Sequence, residues 1–335
     1  MGDEHESRGA QAVADRIGRN LLALPDPIQT GFWKAAGRLV GGALATPGAW
    51  LRRPAQSIED KTDASSLVTR RVAEAAAERA AADPEIVERA MESLLREEFR
   101  KQSNKERVID AAAEELTRDP DSAPHDETAT EVDDDWMNVF VRYAEDASSE
   151  RMQSLWGRVL AGKIRNQSCY SLRTIRFLSE LDTEIAREFE RIAPCVINDF
   201  MLYDKDRDSS LFREFLKLED AGLLNVGTGL LSKSYTIPKE GRCHLIGNEY
   251  GLELEAGPGY KFSIPIIAVT LLGCEILTLI KLRDEQASLK KIVAYLLSKH
   301  EANFAKISLG KLITRNGNTF FHQMAVLHQR SSGGD

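Results

Sequence analysis

The stretch WMNVFVRYAEDASSERMQSLWGRVLAGKI, Trp136 to Ile164, decides the fold class. Trp136, Phe140, Tyr143 and Ala147 recur at steps of four, three and four, which is one face of a helix. Met152, Leu155, Trp156, Val159 and Leu160 make a second such face. At about 100° per residue, one unbroken helix would point the two faces roughly 150° apart. Either the helix breaks near Ala147 to Ser149, or it is buried on two sides. Both alternatives make this stretch a helical core.

Downstream, Asn166 to Tyr170 is a loop, and Ser171 can cap a short helix reaching Leu181. Asp182 can cap the next helix, which carries Ile185, Phe189 and Ile192. A helix over Leu211 to Ala221 ends at Gly222, which suits the left-handed closing position. Strand-type segments then follow at Leu230 to Ile237, Leu252 to Glu255 and Tyr260 to Ile266, punctuated by turns at 238–241 and 257–259. Helices return over Leu271 to Leu282 and Glu285 to Lys299. Asn316-Gly317 predicts a hairpin between Lys306 to Ile313 and Thr319 to His328.

Upstream, residues 119–135 are acidic, contain Pro120 and Pro124, and read as an exposed linker. From Glu59 to Thr117 the Ala, Glu and Arg content favours helix. Asp83-Pro84 suits a helix start, and the capping-box spacing of Ser103 and Glu106 predicts another. Pro25 and Pro27 interrupt any earlier helix. The fold class is mainly α with a small β part (α+β). The order is a flexible N-terminus (1–30), a helical region with a basic apolar segment (31–118), the acidic linker (119–135), the helical core (136–183) and an α+β region (184–335).

The net charge is −8, but residues 119–135 hold eight acids and no Lys or Arg, so the rest of the chain sums to zero. The charge therefore neither excludes nor favours an anionic partner. Cys169, Cys195, Cys243 and Cys274 lie far apart and form no CxxC pair, which reads as reduced thiols. No apolar run reaches the roughly 18 to 20 residues a bilayer span needs. Met1 to Arg8 is polar and unlike a secretory signal, so the expected location is the cytoplasm, with membrane association through one segment considered below.

Catalytic chemistry finds little support. The histidines stand apart, and Gly227-Thr-Gly229 and Gly257-Pro-Gly259 lack the lysine and following helix of a phosphate loop. Glu59-Asp-Lys61 opens a helix without a partnering strand carboxylate. No catalytic residue, metal ligand or cofactor site is assigned. Gly31 to Leu51 is more informative. Lys34 and Arg38 lie four apart on one helical face, while Phe32, Trp33 and Leu39 cover much of the rest, and Trp50 with Arg52 and Arg53 closes the segment. Such an aromatic-flanked basic helix suits a membrane surface, a protein partner or packing against the helices that follow.

Trp136 to Ile164, followed by SLRTIRFLSELD from Ser171, resembles an uncharacterised bacterial family, domain of unknown function 2806. Lys163 stands where the resemblance implies an acid, and Gln167 to Tyr170 where it implies a Pro-Gly turn, which counts against catalysis at that position. The serine-capped arrangement is also similar to abortive-infection alpha proteins of bacteria, which implies an anti-phage role. FLKLEDAGLL from Phe215, a hairpin, and Val269-Thr270 to Leu277 look like a winged-helix module, which implies possible nucleic-acid contact through Arg213 and Lys217. The leading expectation is a non-enzymatic interaction protein with a protein partner or a second copy, serving phage defence. A winged-helix DNA-binding regulator and a peripheral membrane effector are the alternatives.

Overall fold

The computed structural model describes residues 21, 23–40, 84–118, 132–227, 231–280, 284–315 and 318–330. They divide into two compact units, Met1–Ile175 and Arg176–Asp335.

The first unit is helical: α1 (Asp26–Val40), α2 (Pro84–Arg118), α3 (Asp134–Glu145), α4 (Glu150–Arg165) and the start of α5 (Leu172–Ser179). Pro27 lies in the first turn of α1, where a missing N–H costs nothing, so it admits the helix expected to be broken there. Ser103 begins no helix either. It lies inside α2, which runs unbroken for 35 residues because no Gly or Pro interrupts its helix formers.

Trp136 to Ile164 does break. Asp133 accepts the Trp136 N–H to start α3, and Ser149 accepts the Met152 N–H to start α4. The two apolar faces then fold onto one core. Trp156 is buried, stacked on Tyr143 and edge-on to Phe140, each with centroids 5.6 Å apart. The corner is pinned to α2: buried Gln153 donates to Ala147 O and to Asn104 Oδ1, while Asn104 donates to Glu145 O. Gly157 lets α4 press on α2, since a Cβ there would lie 2.5 Å from Ala111 Cβ. Arg165 donates to the carbonyls of Glu115 and Leu116 in the last turn of α2.

The second unit holds α6 (Thr183–Ile192), β1 (Val196–Ile197), β2 (Phe200–Leu202), a single helical turn (Lys205–Asp208), α7 (Phe212–Asp220), β3 (Leu224–Asn225), β4 (Ser232–Thr236), β5 (Arg242–Ile246), β6 (Tyr250–Ala256), β7 (Lys261–Val269), α8 (Leu271–Leu277), α9 (Glu285–His300), β8 (Phe304–Arg315) and β9 (Asn318–Gln329). Gly222 closes α7 with φ 80°, as expected. In the first sheet, antiparallel β7 is central, with β2 on one side and β3 and β4 on the other. The second sheet runs β5-β6-β8-β9, all antiparallel. Ile264 and Phe262 from the first sheet, Leu252 and Ile307 from the second, and Leu289, Ile292 and Leu296 of α9 share one core. Two anchors shape this unit. Glu285 accepts the N–H groups of Asn248, Glu249 and Tyr250 and so fixes the β5–β6 turn. Thr270 caps α8 by accepting the Gly273 N–H and donates to Gly222 O.

Candidate interaction surface

Helix α2 carries large apolar side chains on one side in each of its halves. At about 100° per residue, Met91 and Leu95 in its first half and Ile109 and Leu116 in its second fall within about 60° of one another. The second half is covered: Val108, Ile109, Ala112, Ala113 and Leu116 are buried, and α2 packs there among α1, α3 and α4. The first half is not. Met91, Leu94, Leu95 and Phe99 are each more than half exposed, as is Ile86 nearer the helix start. The side of α2 that faces the core in its second half is thus apolar and exposed over about two and a half turns, Met91 to Phe99. Charge flanks it: Arg96 pairs with Glu92 at 2.5 Å and Lys101 with Glu97 at 2.8 Å. Both pairs lie at i,i+4 and support the helix without tertiary cover. A patch of large apolar side chains on a rigid element, rimmed by charge, is what a protein contact needs.

The residues expected to make contacts are placed elsewhere. Phe32, Trp33 and Leu39 are buried within the first unit, on the face α1 turns to its neighbouring helices. That corresponds to the packing alternative; a bilayer contact through these three would require α1 to leave its core. Lys34 is exposed, and Arg38 donates to Val132 O at 2.7 Å and pairs with Asp134 at 2.5 Å. Trp50, Arg52 and Arg53 lie outside the described residues, as does most of the acidic stretch; its last residues, Val132 to Asp135, are structured beside α1 and α3. No helix among the described residues is long and apolar enough to cross a membrane.

Arg213 and Lys217 both sit exposed on α7, but Lys217 is bound to Glu184 of α6 at 2.5 Å. That neighbour holds the Glu184 carboxyl below its ordinary range and the lysine above its own. Glu214, Glu219 and Asp220 share the helix, so α7 offers a phosphate little net attraction.

The chemistry of the remaining side chains is equally bounded. Lys163 is buried, 5.2 Å over the Trp136 ring, and donates to the carbonyls of Gln167 and Cys169. Trp136 Nε1 donates to Tyr170 O of the same loop. Lys163 and the 167–170 loop therefore serve each other: the ammonium sits where the loop turns its carbonyls inward. His244 lies 3.2 Å from Glu253, and Ser308 faces Glu253 across the next strand pair. The acid stands between imidazole and hydroxyl, and the Ser308 Oγ makes no hydrogen bond, so no proton relay reaches it. Burial pushes the Cys243 thiol up to about 11, which keeps it protonated and unreactive. Among the described residues no group of three His, Cys, Asp or Glu could hold a metal ion.

The arrangement is a two-unit α+β chain whose most distinctive surface is an uncovered helical face. Residues 88–199 match a protein family of unknown function, DUF2806, and this match includes most of that face, Met91 to Phe99. No curated protein matches the chain, nor does any solved structure. The match carries no activity, and none of the comparisons ties the chain to abortive-infection proteins.

Proposed function

We propose that the chain is a non-catalytic interaction protein that binds a protein partner through the first half of α2. The observation that carries this reading is the exposed apolar patch Met91, Leu94, Leu95 and Phe99, on the side of α2 that its second half buries. Burying a leucine or phenylalanine from such a face yields about 1.5 to 3 kcal/mol each, enough for association after ordering costs are met. A helix in an apolar groove or a helix laid alongside α2 suits this geometry. The test places a photo-crosslinking residue at Leu95 in the full chain in its native cell, with Phe99→Glu added to it as the control and Leu95→Glu/Phe99→Glu measured for stability. A discrete protein adduct from position 95, lost when Phe99→Glu is added, supports the reading. A double variant that melts as early as a core substitution shows instead that the chain covers this face itself, and ends the proposal.

A second reading, DNA binding, is favoured by one observation. The strand order β2–β7–β3, with α6 before β2 and α7 between β2 and β3, is similar to the strand order of a winged-helix module, though β5 and β6, which precede β7, belong to the other sheet. The Glu184–Lys217 pair works against it. Retention on duplex DNA that weakens steeply with salt and is lost in Arg213→Glu supports this reading; no retention at low salt removes it.

A further inference from the structure

Strand β9 ends the second sheet, and among the described strands it bonds only to β8. Its twelve residues, NTFFHQMAVLHQ, contain no proline and no Lys, Arg, Asp or Glu. Sheet edges are ordinarily kept single by shortness, by lysine or proline, or by bulges. The other edges follow that rule: β5 has five residues and carries Arg242, β1 has two, and β4 has five and carries Lys233. In β9 the protection is confined to the second half, where the register with β8 shifts opposite Leu309/Gly310 and Ile307/Ser308. Asn318 to Gln323 pairs regularly with Gly310 to Arg315. Phe320, Met324 and Val326 are exposed.

We propose that β9 is a self-association edge, on which β9 of a second copy of this chain docks antiparallel and joins two four-stranded sheets into one. The backbone specifies the kind of partner, because a row of edge N–H and C=O groups is satisfied along its length only by another extended strand. The charge specifies which strand. Antiparallel pairing about a two-fold axis sets residues at equal distances on either side of the axis opposite one another, so like charges near the axis repel. Two histidines are the only ionisable side chains in β9, and with the axis near Gln323 the exposed Phe320 would lie opposite the exposed Val326 of the second copy. One strand a side buries less than the roughly 800 Å² per partner of a stable complex, so the association is in the micromolar class.

The test is sedimentation of the full chain over a concentration series, with two variants at exposed positions, His322→Lys/Met324→Lys and His322→Glu/Met324→Glu. Wild-type chain is expected to show a monomer–dimer equilibrium. Each variant alone should raise the dissociation constant about tenfold or more with an unchanged circular-dichroism spectrum, and an equimolar mixture should restore the dimer by pairing lysine with glutamate. Wild-type chain that stays monomeric up to roughly 100 µM overturns the proposal. So does a dimer that both variants retain, or a mixture that fails to associate. Leu95→Glu/Phe99→Glu separates this surface from α2: it should leave the dimer intact, and a dimer lost only in that variant belongs to the helix and refutes the strand seam.

Discussion

The two halves of α2 carry the same kind of side chain on the same face, yet Ile109, Ala113 and Leu116 are enclosed while Met91, Leu95 and Phe99 meet water. The difference lies in what surrounds the helix: α1, α3 and α4 gather on one half, and Gly157 brings α4 within contact of Ala111. The comparison separates two properties that an apolar stripe confounds, the capacity to be buried and the fact of burial. Only the first is a property of the helix alone.

Substitution in the covered half and in the core around it should show the largest effect. Trp156→Ala empties the stack between Tyr143 and Phe140 and should cost about 3 to 5 kcal/mol, with Leu116→Ala at about 2 to 5, read from urea unfolding of the full chain. A loss below about 1 kcal/mol at both sites would mean the halves do not differ as described. Gly157→Ala sharpens the point without removing anything. The added methyl meets Ala111 and the Ala112 backbone, so α4 must retreat, at about 1 to 3 kcal/mol. Leu95→Ala and Phe99→Ala in the isolated chain should change stability by no more than about 0.5 kcal/mol, because neither side chain has left water. A core-sized loss there would show the first half to be covered as well.

How much of this was legible in the sequence follows from the same distinction. The α3–α4 corner was half legible: two apolar faces about 150° out of phase require either a break near Ala147 to Ser149 or burial on two sides, and the chain takes the break, with Ser149 as the cap. The hairpin of β8 and β9 was readable from Asn316-Gly317 and its flanks. Strand β5 was legible only at Cys243-His244, since Cys243 and Leu245 alone turn inward between exposed Arg242, His244 and Ile246, two positions that mark a strand face but not its bounds. Division of α2 at Ser103 was predicted and does not occur, since a capping-box spacing inside a run of helix formers has no chain end to cap. The basic aromatic face of α1 pointed to packing against a neighbouring helix first and to a membrane or a partner after it, and Phe32 and Leu39 are buried against neighbours. The exposure of the first half of α2 was not legible, because periodicity records an apolar face and carries no information about what lies against it.

The smallest expected effect lies where the two halves join. Glu97 and Lys101 pair at 2.8 Å across one turn, just before Asn104 enters the core. The Lys101 ammonium holds the Glu97 carboxyl below its ordinary value of 4.5, and Glu97 holds the ammonium above 10.5. Because the folded carboxyl is depressed, its contribution is present above its unfolded value and disappears as pH falls through the lowered one. The lysine contributes below its unfolded value and loses that contribution as pH rises through the raised one. Both groups are open to solvent, so the contribution is small and screened by salt. Glu97→Gln should therefore melt slightly earlier than wild type at neutral pH and low salt. The difference should close in acid below the carboxyl range, and close again in high salt at neutral pH. A difference that persists in strong acid would place the cause outside ionisation, in packing that Glu97 makes at the junction. The first half of α2 would then be less free of the body of the protein than Met91, Leu95 and Phe99 indicate.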